Sequence, residues 1–382
     1  MNSPTPANAR ISIIGAGPGG LTCARILQRH GIAVTVYDRD TDADSRDQGG
    51  SLDLHEEDGQ LALGEAGLLE EFFALARFEG QEMRVVDPAG RVLSHHLPDE
   101  DEKASPEIDR GQLRGLLLRS LPAGTVQWGR TLESVGGPAD GPRTLTFTDG
   151  TAVETDLVIG ADGAFSRVRA AMSAATPRYT GVSFLEAWFD GMESAHPELS
   201  ELVGRGSAHV ADGERGLFAQ RNSGGHMRVY IMQRVPVDWI AESGLRPEDT
   251  EGIRAHLLKT FAGWSPQVLR MITENDGPYV DRPLLALPVP HTWERSSSAA
   301  LLGDAAHLMP PLGVGVNLAM LDAAELALAL VRSSTVDDAV RTYEKSMLPR
   351  STEIAQMLEG GAEQLLAVPG PDEIAQSGPA RR

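Results

Sequence analysis

Residues 11–14 (Ile-Ser-Ile-Ile) form a short β-branched run that ends in glycines. Residues 21–30 then carry apolar side chains at helical spacing, and residues 33–37 are β-branched again. This alternation predicts one strand–helix–strand unit of a parallel sheet. Residues 81–96 and 143–154 change to paired short strands with turn residues between them, Asp87-Pro88-Ala89-Gly90 and Asp149-Gly150. Residues 109–121 read as a helix opening on an acidic cap, with Leu113, Leu116 and Leu117 on one face and Arg110 and Arg114 on another. Leu157-Val158-Ile159-Gly160 is a buried-looking strand that delivers Ala161-Asp162-Gly163 at its C-terminal end, where open α/β sheets place ligands.

Residues 181–236 are strand-rich with aromatics (Phe184, Trp188, Phe189, Phe218, Tyr230), and helices are expected over 248–273. That pattern predicts a second, largely antiparallel unit. Leu301-Leu302-Gly303-Asp304 returns to a short apolar strand, and residues 316–331 form an Ala/Leu-rich helix. A helical stretch over 336–366, interrupted near Pro349 and Gly360-Gly361, is expected to pack across both units, with residues 369–382 as a flexible tail.

Composition narrows the partners. The 382 residues carry 54 acidic and 34 basic side chains, a formal net charge of −20, which disfavours nucleic acid and anionic membranes. No apolar run approaches the roughly 18–20 residues of a spanning helix. The single cysteine, Cys23, excludes an intrachain disulfide, and residues 1–10 lack a secretory pattern, so a cytoplasmic protein is expected.

The glycines at 15, 17 and 20 carry the first chemical signal. In such a turn one glycine allows the bend, one lets a pyrophosphate approach the backbone, and one lets helix and strand pack closely. Free N–H groups at the start of the following helix would face the phosphates. Asp38 ends the second strand at the distance where a carboxylate accepts from a ribose. A bound dinucleotide is implied. Other candidates are weaker. Asp38, Asp40, Asp42 and Asp44 alternate like a calcium loop but lack its glycine and closing glutamate, so they read as a solvated acidic loop. His95-His96 has no Cys or His at metal spacing, and no metal site is expected. Ser51, Ser166 and Ser173 lack a G-x-S-x-G elbow, and Cys23 reads as packing.

Ala161-Asp162-Gly163 and Gly303-Asp304-Ala305-Ala306-His307-Leu308-Met309-Pro310-Pro311, with Gly49-Gly50-Ser51-Leu52-Asp53-Leu54-His55 and residues 110–118, carry a further signal. Over residues 11–343 the chain resembles the class A flavin monooxygenases, the group that includes para-hydroxybenzoate hydroxylase, and most closely the tetracycline-inactivating members. The resemblance implies an α/β fold: a Rossmann-type FAD-binding domain from 1–80, 97–178 and 285–332, a largely antiparallel β substrate domain from 81–96 and 179–284, and a long C-terminal bridging helix over 333–368. Bound FAD would be held by Gly15, Gly17, Gly20, Asp38, Arg39, Asp53, Arg114, Asp162, Asp304, Pro311, Gly315 and Asn317. Arg46 falls on the family's nicotinamide-cofactor arginine.

By the same resemblance NADPH, bound transiently, reduces FAD, and O2 forms a C4a-hydroperoxide that oxygenates a phenolic or enolic small molecule, tetracycline-like or another polyketide, in a monomeric enzyme. A helix opening near Val316 would aim its positive end at the flavin's pyrimidine edge, where negative charge accumulates. Substrate contacts would fall on Glu186, Arg228 and Pro310. Glu186 and Arg228 replace a glutamine and a histidine of the tetracycline-inactivating members and pair with each other in the plainest reading. The loop Leu312-Gly313-Val314-Gly315-Val316-Asn317 is one residue shorter than the family's and lacks its glutamine. The alternatives are an NAD-dependent dehydrogenase, which leaves 303–311 unexplained, and a flavin-binding regulator without turnover.

Overall fold

The computed structural model describes residues 4–99 and 102–367, so the expected tail over 369–382 lies outside the described residues. One β-sheet is five-stranded and wholly parallel, in the order Ala299–Leu301, Leu157–Gly160, Ile11–Ile14, Val34–Tyr37, Val126–Gln127. Every residue of Ile11–Ile14 and Leu157–Gly160 is buried. Helices or sheet cover both faces of such strands, which is why they read as continuous apolar runs rather than alternating ones. Helix Pro18–Arg29 packs against helix Gly315–Arg332. Their approach is close enough that a Cβ at Gly19 would stand 2.8 Å from Leu302 Cδ1 and 2.9 Å from the Ala319 carbonyl oxygen.

The larger sheet has seven strands, in the order Val280–Ala286, Arg178–Phe189, Met227–Arg234, Arg215–Arg221, Ser207–Ala211, Met83–Val86, Val92–His96. All neighbours are antiparallel except Ser207–Ala211 with Met83–Val86. Strand alternation separates its two faces. Leu185, Ala187, Phe189, Leu217, Ala219, Met227, Val229 and Ile231 face the helices Pro197–Val203, Thr250–Thr260 and Pro266–Thr273 and form a closed core with them. The opposite face carries Phe184, Phe218, Tyr230 and Met232, with Glu186, Trp188, Gln220 and Arg228 in register beside them.

A three-stranded antiparallel sheet (Leu132–Gly136, Arg143–Phe147, Ala152–Thr155) and a two-stranded ribbon (Ser51–Asp53 with Glu107–Asp109) complete the strands. The ribbon was not expected from the sequence.

The C-terminal helix departs from expectation. It runs unbroken from Val336 to Met357, through Pro349. Proline removes one backbone donor and normally breaks or kinks a helix. Here the next residue, Arg350, is tied to Asp322 (2.8 Å) and Glu325 (2.5 Å) on the neighbouring helix, and Tyr343, Met347 and Ser351 bury the inner face, so tertiary bonds hold both sides of the proline. The interruption near Gly360-Gly361 is present: Gly360 has φ +78°, and a short helix, Gly361–Gln364, follows. Ala362, Leu365 and Leu366 then pack on Val182, Phe184, Met232 and Leu284 of the large sheet.

Candidate active site

The strand Ile11–Ile14 ends at Gly15, whose φ of +108° only glycine adopts readily. Pro18 then opens helix Pro18–Arg29 at its first position, where its missing N–H costs nothing. The three motif glycines differ in what excludes a side chain. A Cβ at Gly15 would strike the Ala161 carbonyl, and one at Gly20 would strike the Gly15 carbonyl, whereas one at Gly17 would meet nothing within 4 Å. The protein itself therefore needs two of these glycines; the third leaves open backbone at the helix N-terminus, where a pyrophosphate would approach.

Asp38 accepts from the Ala16 N–H (2.5 Å) and the Asp40 N–H (2.8 Å), which fixes it at the lip of this turn. Arg39 beside it is exposed. Arg114 is buried, and its guanidinium donates to the Ala16 carbonyl (3.0 Å), the Ala43 carbonyl (2.8 Å) and Asp40 (3.0 Å). Its donors brace the glycine turn. Arg46 donates to the same Asp40 at 3.0 Å and is half exposed. The acidic stretch is thus not a solvated loop throughout. Asp40 is buried because two arginines compensate its charge, a partnership that local sequence does not reveal.

Strand Ala299–Leu301 delivers Gly303 (φ +57°) and the short helix Asp304–His307. The Asp304 carboxylate is open to solvent yet recessed among protein atoms, and it has no hydrogen bond or ion pair among the described residues. Burial pushes its pKa up; the charges of His307, Arg110 and Arg169 work the other way. Arg110, first residue of helix Arg110–Arg119, is exposed and likewise has no side-chain partner among the described residues. A free carboxylate and a free guanidinium close enough to sense each other mark a place for a polar ligand. Asp162 is committed otherwise. It binds the Ser166 hydroxyl (2.5 Å) and the N–H groups of Arg167 (2.7 Å) and Val168 (3.3 Å), so its carboxylate caps helix Arg167–Ala170.

His307 and Asp322 hold the Asp304 turn from behind. His307 Nε2 lies 2.5 Å from Asp322, which also accepts from the Gly303 N–H (3.0 Å) and from Arg350 (2.8 Å), and Asp322 is fully buried. Burial works to raise the Asp322 carboxyl, but His307, the Gly303 N–H and Arg350 outweigh it and hold it below the usual range. Sequence reasoning missed Asp322: fifteen residues separate it from His307, and no local periodicity joins them.

Pro310 is buried and Pro311 exposed, and Val314 caps helix Gly315–Arg332, which leaves the first N–H groups of that helix unpaired within it. Nothing lies within 4 Å of a Cβ placed on Gly315. Asn317 is fully buried and its side chain is spent inside the protein: it donates to the Asp53 carbonyl (2.9 Å) and the Gly313 carbonyl (3.3 Å) and accepts from the His55 N–H (2.9 Å). It ties the helix start to the strand Ser51–Asp53. Any cofactor contact at this position falls to the backbone.

The Asp53 carboxylate lies 3.0 Å from His55 Nε2, and hydrogen bonds from His55 to Asp53 and Asp58 push the histidine's pKa up to about 9. A raised histidine pKa contributes stability that is complete below the unfolded value near 6.5 and lost as pH rises through about 9. Stability is therefore expected to fall between these two pH values, and His55→Gln should remove that slope in urea melts; an unchanged slope would assign it elsewhere. Across the ribbon from Asp53, Glu107 is buried and accepts from the Ser51 hydroxyl. Burial, reinforced by Asp53, pushes it up to about 7.

On the open face of the large sheet Glu186 and Arg228 do pair. Arg228 also binds Asp47 of the 38–49 loop and stacks over Trp188, 4.5 Å from the ring centroid; Arg282 donates to Glu186 at 3.2 Å. This face and the ribbon meet: a Cβ on Gly50 would lie 2.5 Å from the Tyr230 hydroxyl, 3.2 Å from Gln220 Oε1 and 3.4 Å from Arg228 Cδ. Among the described residues no helix is long and apolar enough to cross a membrane, and no group of three or more His, Cys, Asp or Glu could hold a metal.

The family model described as "FAD binding domain" matches residues 8–262 and 291–357. The monooxygenase penA of Penicillium thymicola is 32% identical, over 93% of this chain and 97% of its own. Among solved structures, Klebsiella pneumoniae HpxO complexed with FAD and uric acid superposes with a TM-score of 0.78 at 22% identity, covering 97% of this chain and 92% of its own. The tetracycline destructase Tet(51) superposes with a TM-score of 0.70 at 20% identity, covering 99% and 96%. Taken with a dinucleotide turn, a recessed free carboxylate and an adjoining polar sheet face, these matches show that the chain belongs to the FAD-dependent class A flavoprotein monooxygenases.

Proposed function

We propose that the protein hydroxylates a phenolic or enolic small molecule, aromatic or polyketide-like, with NADPH as transient reductant, and acts as a monomer. The observations that carry this reading are the open backbone at Gly17 and the Asp304 carboxylate, which has no partner among the described residues and feels the charge of an equally unpartnered Arg110. These residues fit FAD. Gly17 and the N-terminus of helix Pro18–Arg29 would receive its pyrophosphate, Asp38 its adenosine ribose, and Asp304 and Arg110 its ribityl and phosphate groups. Arg114 and Asn317 act one step back, by bracing the glycine turn and the ribbon.

When bound, FAD supplies the redox chemistry: it accepts a hydride from the nicotinamide and activates O2 for transfer of one oxygen atom. The chain's own part is positional and electrostatic. The N-terminus of helix Gly315–Arg332 offers unpaired N–H groups to negative charge. Phe184 and Met232 are closed off under Ala362, Leu365 and Leu366, and Phe218 and Tyr230 extend that apolar patch toward Glu186 and Arg228. The Tyr230 hydroxyl makes no hydrogen bond among the described residues and lies against Gly50, while burial keeps it protonated at neutral pH. Arg46 is half exposed beside a cavity of about 420 Å³ that it lines with Ala43, Asp44, Asp47, Gln48 and Arg114, room for a visiting nicotinamide nucleotide.

Asp304→Ala is expected to weaken FAD binding by roughly 30- to 1000-fold, the loss of one or two charge-assisted hydrogen bonds, and to yield protein with little yellow colour. Screening NADPH oxidation against phenols and polyketides, tetracyclines included, with product mass as readout, tests the reaction. A gain of one oxygen supports it; a stoichiometrically flavinylated Asp304→Ala, or turnover without oxygenated product for every compound, overturns it.

A further inference from the structure

The face of the large sheet opposite the helices is apolar around Phe184, Phe218 and Met232, where the C-terminal segment covers it, and charged around Arg228. Arg228 is buried and its guanidinium is held on three sides: one terminal nitrogen on Glu186, the plane on Trp188, the other terminal nitrogen on Asp47. Its Nε is buried with no hydrogen-bond partner. The two carboxylate partners are unlike. The Glu186 side chain is 8% exposed, comes from the adjacent strand and is itself fixed by Arg282. The Asp47 side chain is 70% exposed and reaches in from the 38–49 loop of the nucleotide unit.

That asymmetry has a physical meaning. Burial works to raise the Asp47 carboxyl, but the Gly49 N–H and the Arg228 guanidinium outweigh it and hold it below the usual range, so Asp47 is an anion at neutral pH. An ion pair with one partner in water contributes little, because solvent competes for the exposed carboxylate. A buried guanidinium, by contrast, is costly to leave with fewer partners than it has now. The Asp47 corner of Arg228 is therefore the one that can be exchanged, for another anion and not for nothing. Glu186 and Trp188 keep the guanidinium in place meanwhile, so the arginine is oriented beforehand.

We infer that Asp47 is a stand-in for an acidic group of the substrate, and that a substrate carboxylate or enolate takes its place on Arg228 and thereby frees the loop that carries Arg46. The inference rests on this face being the substrate site. It narrows the substrate to a phenol or enol that also bears an anionic oxygen, and it makes Asp44, Arg46, Asp47 and Gln48, which border the cavity beside the loop, responsive to substrate. Asp40, held by both Arg46 and Arg114, remains the loop's fixed point.

The test uses FAD-loaded protein without nicotinamide. Salicylate and its neutral counterpart salicylamide are titrated while flavin absorbance is followed, and trypsin cleavage after Arg46 is timed with and without each probe. Salicylate should bind more tightly than salicylamide. Asp47→Asn should tighten salicylate a further three- to ten-fold or so, the competition of an exposed ion pair, and leave salicylamide unchanged. Cleavage after Arg46 should quicken with salicylate and be quick without it in Asp47→Asn. The double variant Arg228→Gln/Glu186→Gln, which leaves no buried charge unpaired, should lose the preference for salicylate. Equal affinity for both probes, or a loop whose cleavage ignores salicylate, overturns the inference and leaves the substrate face standing. If neither probe changes the flavin spectrum, the substrate face falls with it.

Discussion

Gly17→Val should give a folded, colourless protein. A Cβ at this position meets nothing within 4 Å, and the backbone (φ −82°, ψ 177°) is extended and open to any residue. The apoprotein therefore has no reason to change. A dinucleotide has every reason to leave, because valine would stand where the pyrophosphate must approach the N–H groups of the helix. Loss of two charge-assisted hydrogen bonds amounts to ~4 kcal/mol, about a thousand-fold in FAD affinity. Gly20→Val is the contrasting control, since its Cβ collides with the Gly15 carbonyl and should disturb folding itself. Circular dichroism and flavin content, measured on both variants, separate the two effects. A yellow Gly17→Val protein would remove the turn from the cofactor site.

Asp322→Ala should be the most destabilising single change near the site. It leaves Arg350, His307 and the Gly303 N–H without their shared acceptor inside the protein, and removal of one partner from a buried ionic cluster costs about 3–5 kcal/mol. Its carboxyl is held below the usual range, so its contribution is present above the unfolded carboxylate pKa and lost as pH falls through the folded one. The variant should thus show a lower urea midpoint at pH 7 and a shallower acid limb than the parent. A loss below about 1 kcal/mol at pH 7 would mean that the cluster is ornamental to folding.

The parallel unit was legible because its signals are local. Ile11–Ile14, the glycines and Pro18–Arg29 follow one another within nineteen positions, and each obeys its own short rule of burial, turn or cap. The ribbon Ser51–Asp53 with Glu107–Asp109 was not legible, since two three-residue strands paired across more than fifty residues carry no periodicity of their own. The same holds for charge. Asp40 looks solvated until Arg114 is folded against it, and Asp322 looks like an ordinary helix acid until His307 and Arg350 arrive. Pro349 misled in the opposite direction, because the rule for proline is local whereas the bonds that override it belong to a neighbouring helix. The place of Asp304 after a short apolar strand was readable. The burial of Arg114 and the exposure of Arg110 were not, since both sit on one helix and differ only in what folds onto them.

The two-faced sheet sets the terms on which this enzyme could acquire new substrates. In four of its strands the even-numbered positions (182–188, 218–220, 228–232 and 280–284) lie on the face opposite the helices, where 182, 184, 232 and 284 pack under the C-terminal segment, while odd-numbered ones such as 185, 187, 217, 219, 229 and 231 build the core against the helices. Parity along the chain therefore divides mutational labour. Drift at four even positions that stay partly or fully exposed (188, 220, 280 and 282) changes this face at small cost to stability, whereas drift at odd positions is felt in the core. A directed-evolution library restricted to those four positions would sample the chemistry of this face while the scaffold behind it stays constant.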